Sequence, residues 1–296
     1  MPPRRLLPVL LLPALAAGLA GCSDDGGAAS GLDVVVTAYP MQFIAERVAG
    51  DAASVTSVAP VGTEPHDLEL SPSGVASLTT ADVVLMNSGF QAAVDDALEE
   101  VGAQVLVVDA ADSATLLTDD DQGEIDPHFW LDPVRVADVA EALATSMGEA
   151  DPENARTFEA NAAELRTELD GLDGELRDGL AHCAERSFVT SHEAFGYLAD
   201  AFDLQQIGIS GLDPEAEPSP ARIAEVLQEA QDAGVTTIFN QPGGAVAGAE
   251  GVAAELGLTL ATLNPIELEP TDDLGSDYLG AMRMNLTALQ QGLECS

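Results

Sequence analysis

Short apolar runs alternate with amphipathic stretches along most of the chain. The apolar runs are rich in β-branched residues and bounded by turn-forming residues, which is typical of buried strands. They cover 33–37, 54–59, 82–86, 104–108, 187–190, 204–207, 236–239 and 258–263. Helical spacing of apolar residues falls between them, at 41–49, 90–100, 134–147, 194–202, 220–233, 247–256 and 278–293. This alternation predicts an α/β fold with mostly parallel sheets flanked by helices.

A longer helical pattern interrupts the alternation near the middle of the chain. Its apolar positions recur at spacings of three and four, at Phe158, Ala162, Leu165, Leu169, Leu172 and Leu176. Asp151 is predicted to cap this helix, with Pro152 in its first turn. A helix running to about residue 181 is on the order of 45 Å long, which exceeds the width of one small lobe. The sequence therefore predicts two α/β lobes joined by one long rigid helix.

The predicted organisation has five parts. They are a lipoprotein signal peptide (1–21), a flexible tether (22–32), an N-terminal α/β lobe (33–150), the linking helix (151–185) and a C-terminal α/β lobe (186–296).

The first residues have the pattern of an export signal. Arg4 and Arg5 precede an apolar run at 6–20 that is too short to span a bilayer comfortably. Small residues then lead directly to Cys22, as at the cleavage site of bacterial lipoproteins. We expect cleavage before Cys22 and lipid attachment to its sulfur, with an ordinary secretory signal as the alternative. The chain is then exported and anchored to the outer face of the cytoplasmic membrane.

The charge is strongly negative. Fifty-one acidic residues face ten basic ones, all arginine, for a formal net charge of −41. Such a surface repels nucleic acid, which excludes that partner, and attracts cations without selecting among them.

Two cysteines remain after Cys22. An exported protein meets an oxidising compartment, in which an even pair of cysteines favours a bridge. We expect a disulfide between Cys183 and Cys295, with two separate thiols as the alternative.

Three of the four histidines follow predicted strands. His66, His128 and His192 come after the second, fourth and fifth apolar runs. Because the carboxyl ends of parallel strands line the ligand crevice of such folds, the three imidazoles are expected to meet between the lobes. Considered singly, each histidine also has an alternative role, in which it only forms local hydrogen bonds and binds no metal. His182 lies near the end of the long helix and is interpreted as solvated.

Imidazole nitrogen suits zinc, copper, nickel and iron, whereas manganese leans towards oxygen ligands. Three neutral histidines and one oxygen would give zinc a four-coordinate site. The candidate oxygen donors are Asn264, Glu267, Glu64 and water, and spacing alone does not choose among them.

Four segments resemble the metal-binding receptors of ABC importers for zinc and manganese, the cluster A-I or TroA-like family. The matching segments are Pro65-His-Asp-Leu-Glu-Leu-Ser-Pro72, Asp126-Pro-His-Phe-Trp-Leu-Asp-Pro133, Ser191-His-Glu-Ala-Phe-Gly-Tyr197 with Glu217-Pro-Ser219, and the last helix with Tyr278, Met282, Asn285 and Leu286. The resemblance implies two lobes bridged by a rigid helix, with metal in the cleft held by His66, His128 and His192. It also implies a membrane permease as partner, a monomeric receptor and no enzymatic activity.

One position departs from the family pattern. The family usually places an Asp-Pro pair after the last strand, and this chain has Asn264-Pro265. A neutral amide is a weaker ligand than a carboxylate, so we expect zinc in preference to manganese, with Glu267 or Glu64 able to replace Asn264. The acidic segment 118–124 lies where zinc receptors of the family carry a longer His-rich loop, and a solvated loop is the favoured interpretation.

Two other functions fit parts of the sequence. A three-histidine zinc site with an open position could activate water, as in an extracytoplasmic hydrolase. However, His192-Glu193 lacks the second histidine of a His-Glu-x-x-His motif, since position 196 is glycine. A metal-binding surface adhesin is the other alternative. Capture of a divalent transition metal for an importer remains the favoured hypothesis.

Overall fold

The computed structural model describes residues 31–118, 125–242 and 246–296. The predicted signal peptide, Cys22 and residues 119–124 of the acidic segment lie outside the described residues. Within the described part of the chain, no helix combines the length and the apolar character needed to cross a membrane.

Eight strands form two four-stranded sheets in the described residues. They are β1 Leu32–Val36, β2 Ala53–Ser57, β3 Val83–Met86, β4 Leu106–Asp109, β5 Ser187–Thr190, β6 Gln205–Gly208, β7 Thr237–Asn240 and β8 Thr259–Thr262. The first sheet has the order β2-β1-β3-β4 and the second has the order β6-β5-β7-β8. Every pairing is parallel, so all carboxyl ends of one sheet lie at the same edge. The predicted α/β fold class is confirmed.

Helices connect and cover these strands. They are α1 Tyr39–Ala49, α2 Pro72–Thr80, α3 Ala92–Val101, α4 Ala110–Ala114, α5 Pro133–Ala150, α6 Ala155–Leu180, α7 Gly196–Ala201, α8 Pro220–Asp232, α9 Val246–Leu256 and α10 Tyr278–Gly292. The sequence did not predict α2 or α4. Yet α2 begins with a recognisable signal, because the Ser71 hydroxyl accepts a hydrogen bond from the Gly74 amide and Pro72 occupies the first turn.

Helix α6 joins the lobes. Its 26 residues span about 39 Å at 1.5 Å per residue. The predicted apolar stripe, extended by Leu180, is buried along its whole length. Ion pairs tie α6 to both sides: Arg47 of α1 contacts Glu168 and Arg283 of α10 contacts Glu175, both at 2.7 Å, and Arg166 of α6 contacts Asp138 and Glu141 of α5. The stripe joins a hydrophobic core that continues from the N-terminal lobe into the C-terminal lobe.

The start of α6 differs from the sequence prediction. Asp151 ends α5, and its carboxylate accepts hydrogen bonds from the amides of Glu153 and Asn154. Pro152 therefore lies in a turn, and the helix begins at Ala155. The predicted cap is wrong because the Asp-Pro pair closes a tight turn between two helices instead of opening the second one.

A disulfide joins the end of α6 to the C-terminal tail. Cys183 is bonded to Cys295, as predicted. Backbone hydrogen bonds flank the bridge, from the Ala184 amide to the Glu294 carbonyl and from the Ser296 amide to the His182 carbonyl. The side chain of His182 is exposed, in agreement with its interpretation as solvated.

Glycines within α6 offer a test of what stabilises this helix. A Cβ atom at Gly171 or Gly174 would meet no atom within 4 Å. Replacing either glycine by alanine is therefore expected to raise the free energy of unfolding by about 0.5–1 kcal/mol, because alanine loses less backbone entropy in a helix. Urea denaturation measures the change.

Gly179→Ala is the matched control. Its Cβ would lie 2.8 Å from Leu286 Cδ1 and 2.7 Å from Gln290 Nε2 on α10. We expect this variant to gain less stability than the other two, or to lose some. Destabilisation by Gly171→Ala would contradict the packing described here.

Candidate metal centre

The three predicted histidines and one carboxylate follow the carboxyl ends of strands. His66 lies between β2 and α2, and His128 immediately precedes the 3-10 turn Phe129–Leu131 before α5. His192 lies two residues after β5, and Glu267 lies five residues after β8. Each lobe therefore contributes two side chains to the space between the sheets, as expected for ligand sites in parallel α/β folds.

The three imidazoles converge on a single oxygen atom. Glu267 Oε1 lies 3.1 Å from His128 Nε2, 3.2 Å from His192 Nε2 and 3.6 Å from His66 Nε2. A tetrahedral zinc site with bonds of 2.0–2.1 Å has ligand atoms about 3.3 Å apart. The observed separations bracket this value. Ligand atoms of His66, His128 and Glu267 lie within 4.8 Å of one another, so these three residues can hold one ion together, whereas His192 has to approach the other imidazoles to act as a fourth ligand.

Burial and an unpaired nitrogen add to this geometry. His128 is fully buried, His192 is 1% exposed and Glu267 is 4% exposed. His66 Nε2 is also buried, and it makes no hydrogen bond to any residue that the structure describes. Buried polar atoms are nearly always paired, so an orphaned nitrogen that faces a carboxylate fits a ligand awaiting an ion.

The charges at the centre are strongly coupled. Burial opposes ionisation of Glu267, but its contacts with the three histidines outweigh burial and hold its pKa well below the usual value. Burial also opposes a charge on His128, but the carboxylates of Asp126 and Glu267 raise its pKa to about 9. Burial lowers the pKa of His192. Without metal, the centre thus holds a charged His128, a neutral His192 and an ionised Glu267 near neutral pH.

Asp126 orients the His128 ring. Its Oδ1 atom lies 2.8 Å from His128 Nδ1 and also accepts the His128 backbone amide at 2.9 Å. A carboxylate on the far nitrogen of a histidine fixes the ring and makes the other nitrogen a better ligand. Tyr197 of α7 secures this loop from the other lobe, because its hydroxyl donates to the Asp126 carbonyl and accepts from the Leu117 amide, both at 2.7 Å.

A buried indole ties the two lobes together beside the centre. Trp130 Nε1 donates to the Pro265 carbonyl at 2.8 Å, and the Tyr278 hydroxyl donates to the Trp130 carbonyl at 2.6 Å. Trp130 lies two residues after His128, and Pro265 lies two residues before Glu267. The hydrogen bond from Trp130 to Pro265 therefore fixes the distance between the His128 loop of one lobe and the Glu267 loop of the other.

The candidate oxygen donors have different surroundings. The Asn264 side-chain oxygen accepts the Ile266 amide at 2.9 Å, and its backbone forms two hydrogen bonds with the side chain of Asn285. Asn264 thus shapes the turn that presents Glu267. Glu64 accepts the His66 amide at 3.4 Å, and burial together with the nearby charge of Glu267 raises its pKa. Of the three named candidates, Glu267 is the one with an oxygen in hydrogen-bond contact with imidazole nitrogens, those of His128 and His192.

The sequence held one signal for this arrangement. An asparagine directly before proline favours a local turn in which its side chain bonds the backbone two residues later. This turn uses the side-chain oxygen of Asn264 for the Ile266 amide, so the oxygen is not free to bind a metal. The next carboxylate along the chain, Glu267, is then the better candidate. On sequence alone, Glu267 was one of several candidate oxygen donors.

Comparison with known proteins places the chain in a family. Residues 34–292 match the family ZnuA, described as the zinc-uptake complex component A, periplasmic. The zinc-binding lipoprotein AdcA of Streptococcus pneumoniae serotype 4 is 36% identical over 300 residues, which cover 95% of this chain and 60% of AdcA. The chain thus spans about 60% of the length of this relative.

Solved structures agree with the sequence match. The crystal structure of Zn(II)-bound AdcA from Streptococcus pneumoniae aligns with a TM-score of 0.77 at 35% identity, covering 89% of this chain and 58% of that chain. The laminin-binding protein Lmb of Streptococcus agalactiae, described as bifunctional with adhesin and metal transporting activity, aligns with a TM-score of 0.80 at 33% identity, covering 89% and 100%. The high-affinity zinc uptake system protein ZnuA of Bacillus subtilis is 31% identical over 290 residues, which cover 92% of this chain and 90% of that protein.

The electrostatics of the centre predict how metal-free protein responds to pH. Because folding raises the pKa of His128 above its ordinary 6.5 to about 9, this group stabilises the fold fully below about pH 6.5. That contribution is lost as the pH rises through about 9. Asp126→Asn removes one of the two carboxylates, so we expect the pKa of His128 to fall. NMR titration of the ring protons in chelator-treated protein measures it.

Asp67→Asn serves as the control, since Asp67 is an exposed acid on the His66 loop. It is expected to leave the titration of His128 unchanged. A parental pKa near 6.5, or a value that Asp126→Asn does not alter, would show that the carboxylates do not hold the proton.

Proposed function

The chain belongs to the ZnuA family of periplasmic zinc-uptake components, and on that premise we propose that it captures one zinc ion between its lobes and delivers it to a membrane importer. The proposed ligands are His66, His128, His192 and Glu267. The observation that carries the proposal is the convergence of three imidazole Nε2 atoms on one buried carboxylate oxygen, within 3.1–3.6 Å.

The donor set favours zinc over manganese. Three imidazole nitrogens and one oxygen suit zinc in four-coordinate geometry, whereas manganese leans towards oxygen. On sequence alone, zinc was preferred partly because the expected fourth ligand, Asn264, is neutral where the family usually has a carboxylate. With Glu267 in that place the fourth ligand is anionic, so the preference rests on the three imidazoles and on the zinc-binding relatives.

Zinc binding at this centre is coupled to proton release. Zinc needs deprotonated imidazoles, so it displaces the proton that His128 holds in the metal-free protein. Unperturbed histidines alone predict that affinity falls below about pH 6. Because the pKa of His128 is about 9, affinity is expected to weaken with acidification over a wider range, beginning near that pH.

Handover requires a protein partner and a place at the membrane. The family is a component of an uptake complex, which supports an ABC permease as the partner of this chain. AdcA is described as a lipoprotein, which supports a lipid anchor at Cys22 on the outer face of the cytoplasmic membrane. The family consists of binding components of uptake complexes, and this confirms the predicted non-enzymatic role.

Metal analysis of the purified protein tests zinc capture. After dialysis with equal concentrations of zinc and manganese, we expect about one zinc per chain and little manganese. His128→Ala removes one of the four ligands and is expected to lose most of the bound zinc. His182→Ala is the matched control, because its imidazole is exposed and lies just beyond the end of α6 at Leu180. Elemental analysis by mass spectrometry counts both metals.

Two results would contradict the proposal: a preference for manganese, or full zinc retention by His128→Ala. Delivery and anchoring are tested in the same series, in zinc-limited cells that lack their own receptor and carry the cognate permease. The parent chain is expected to restore growth, whereas His128→Ala fails and Cys22→Ala is released into the medium. Tight zinc binding without restored growth would favour the adhesin alternative.

A further inference from the structure

Two buried side-chain atoms beside the metal centre lack partners. His192 Nδ1 and Gln241 Oε1 are both inaccessible to solvent, and neither makes a hydrogen bond to any described residue. Buried polar atoms of this kind are rarely left unpaired, so each requires an explanation. The proposed zinc capture uses Nε2 of His192 and leaves both of these atoms unexplained.

The fold places the two residues side by side. Strands β5 and β7 are paired in parallel, with Thr190 opposite Phe239, and the Ser191 amide donates to the Phe239 carbonyl at 3.0 Å. His192 and Gln241 each follow two residues after that matched pair. They therefore leave the same edge of the sheet at the same level.

The two residues also share a cavity. Both line a cavity of 290 Å³ within the C-terminal lobe. Gln241 lines a second cavity of 270 Å³ as well, together with Glu267. Gln241 thus borders both metal-site side chains that the C-terminal lobe contributes.

The chemistry of His192 changes when a metal binds. In the metal-free protein, His192 Nε2 lies 3.2 Å from the Glu267 carboxylate, which only accepts hydrogen bonds, so Nε2 carries the proton of the neutral ring. Its Nδ1 is then a bare acceptor. A zinc ion on Nε2 takes the lone pair there, and the single ring proton stands on Nδ1 instead. Metal binding therefore turns Nδ1 from an acceptor into a donor.

A carboxamide can serve the zinc-bound form, because its carbonyl oxygen accepts a hydrogen bond from Nδ1–H. We propose that Gln241 is a positioning residue for His192: its carbonyl oxygen accepts from Nδ1–H in the zinc-bound protein. The contact requires a change of the Gln241 side-chain rotamer within the cavity that both residues line. The inference rests on the proposed function, since it takes His192 as a zinc ligand.

Other groups near His192 are less suited to this role. The hydroxyl of Thr190 and the amide of Gln206 already bond the His192 carbonyl. Glu215 and Glu217 line the same cavity but are exposed to solvent. Among the described residues that line it, only His192 and Gln241 have a buried, unpaired side-chain nitrogen or oxygen.

Substitutions at Gln241 test the pairing. Gln241→Met keeps the length of the side chain but has no strong acceptor, and loss of such an outer partner typically costs 10- to 100-fold in metal affinity. Gln241→Glu keeps the acceptor and is expected to bind zinc at least as tightly as the parent. Competition against a zinc chelator measures the affinities, and thermal unfolding of the metal-free variants confirms that both are folded.

Zinc affinity alone does not decide the test, because the extra negative charge of Gln241→Glu raises the affinity for zinc by itself. The deciding measurement is the exchange rate of the His192 Nδ1 proton. NMR of zinc-loaded, ¹⁵N-histidine-labelled protein is expected to show a slowly exchanging Nδ1–H in the parent and in Gln241→Glu. In Gln241→Met this proton should exchange much faster. Ser210→Ala is the matched control, since it removes a different polar group from the same cavity and should leave affinity and exchange close to parental values.

Parental zinc affinity and slow Nδ1–H exchange in Gln241→Met would overturn the inference. Equal losses in Gln241→Met, Gln241→Glu and Ser210→Ala would also overturn it, because they would indicate a general effect of packing in the cavity. These outcomes are distinct from failure of the proposed function, in which the parent chain itself would bind no zinc.

Discussion

Three imidazoles directed at one buried carboxylate oxygen are the arrangement on which the rest of the molecule depends. The carboxylate and the two most buried histidines are almost completely removed from water. In the protein interior, charges and hydrogen bonds are screened less than in water. Such a group is stable only if each atom has a partner or an ion. In the metal-free state the centre meets that requirement only in part: His128 and His192 share the Glu267 oxygen and His128 keeps a proton, whereas His66 Nε2 has no hydrogen-bond partner among the described residues. A zinc ion bound by the imidazoles would supply the missing partner.

The fold holds this arrangement by uniting two lobes that supply two of the proposed ligands each. Parallel sheets bring the ligand loops to their carboxyl edges, and α6 packs against helices of both sides. Interlobe hydrogen bonds lie directly beside the ligands, from Trp130 to Pro265 and from Tyr197 to the Asp126 loop. The continuous hydrophobic core and these short links favour a receptor whose lobes shift slightly around the ion and do not swing widely apart.

Much of this architecture was accessible from sequence, because periodicity reports burial directly. The leucine stripe of α6 marks the face of the helix that is buried, and the eight apolar runs all correspond to observed strands, although β2 and β8 at the sheet edges are more exposed than the predicted buried strands. Local turn chemistry was harder to interpret. Asp151-Pro152 carries the pattern of a helix start but closes a turn. Asn264 stands where the family pattern has a ligand aspartate, but its side-chain oxygen accepts the Ile266 amide. Glu267 became distinguishable only when the loops were placed in space, since the distance between residues remote in sequence is a property of the whole fold.

A crystal structure of the zinc-loaded chain, recorded at the zinc absorption edge, tests the central claim most directly. It is predicted to show one zinc ion bonded to Nε2 of His66, His128 and His192 at 2.0–2.1 Å and to an oxygen of Glu267 at a similar distance. An ion that engages fewer than three of these imidazoles, or one located away from Glu267, would contradict the account.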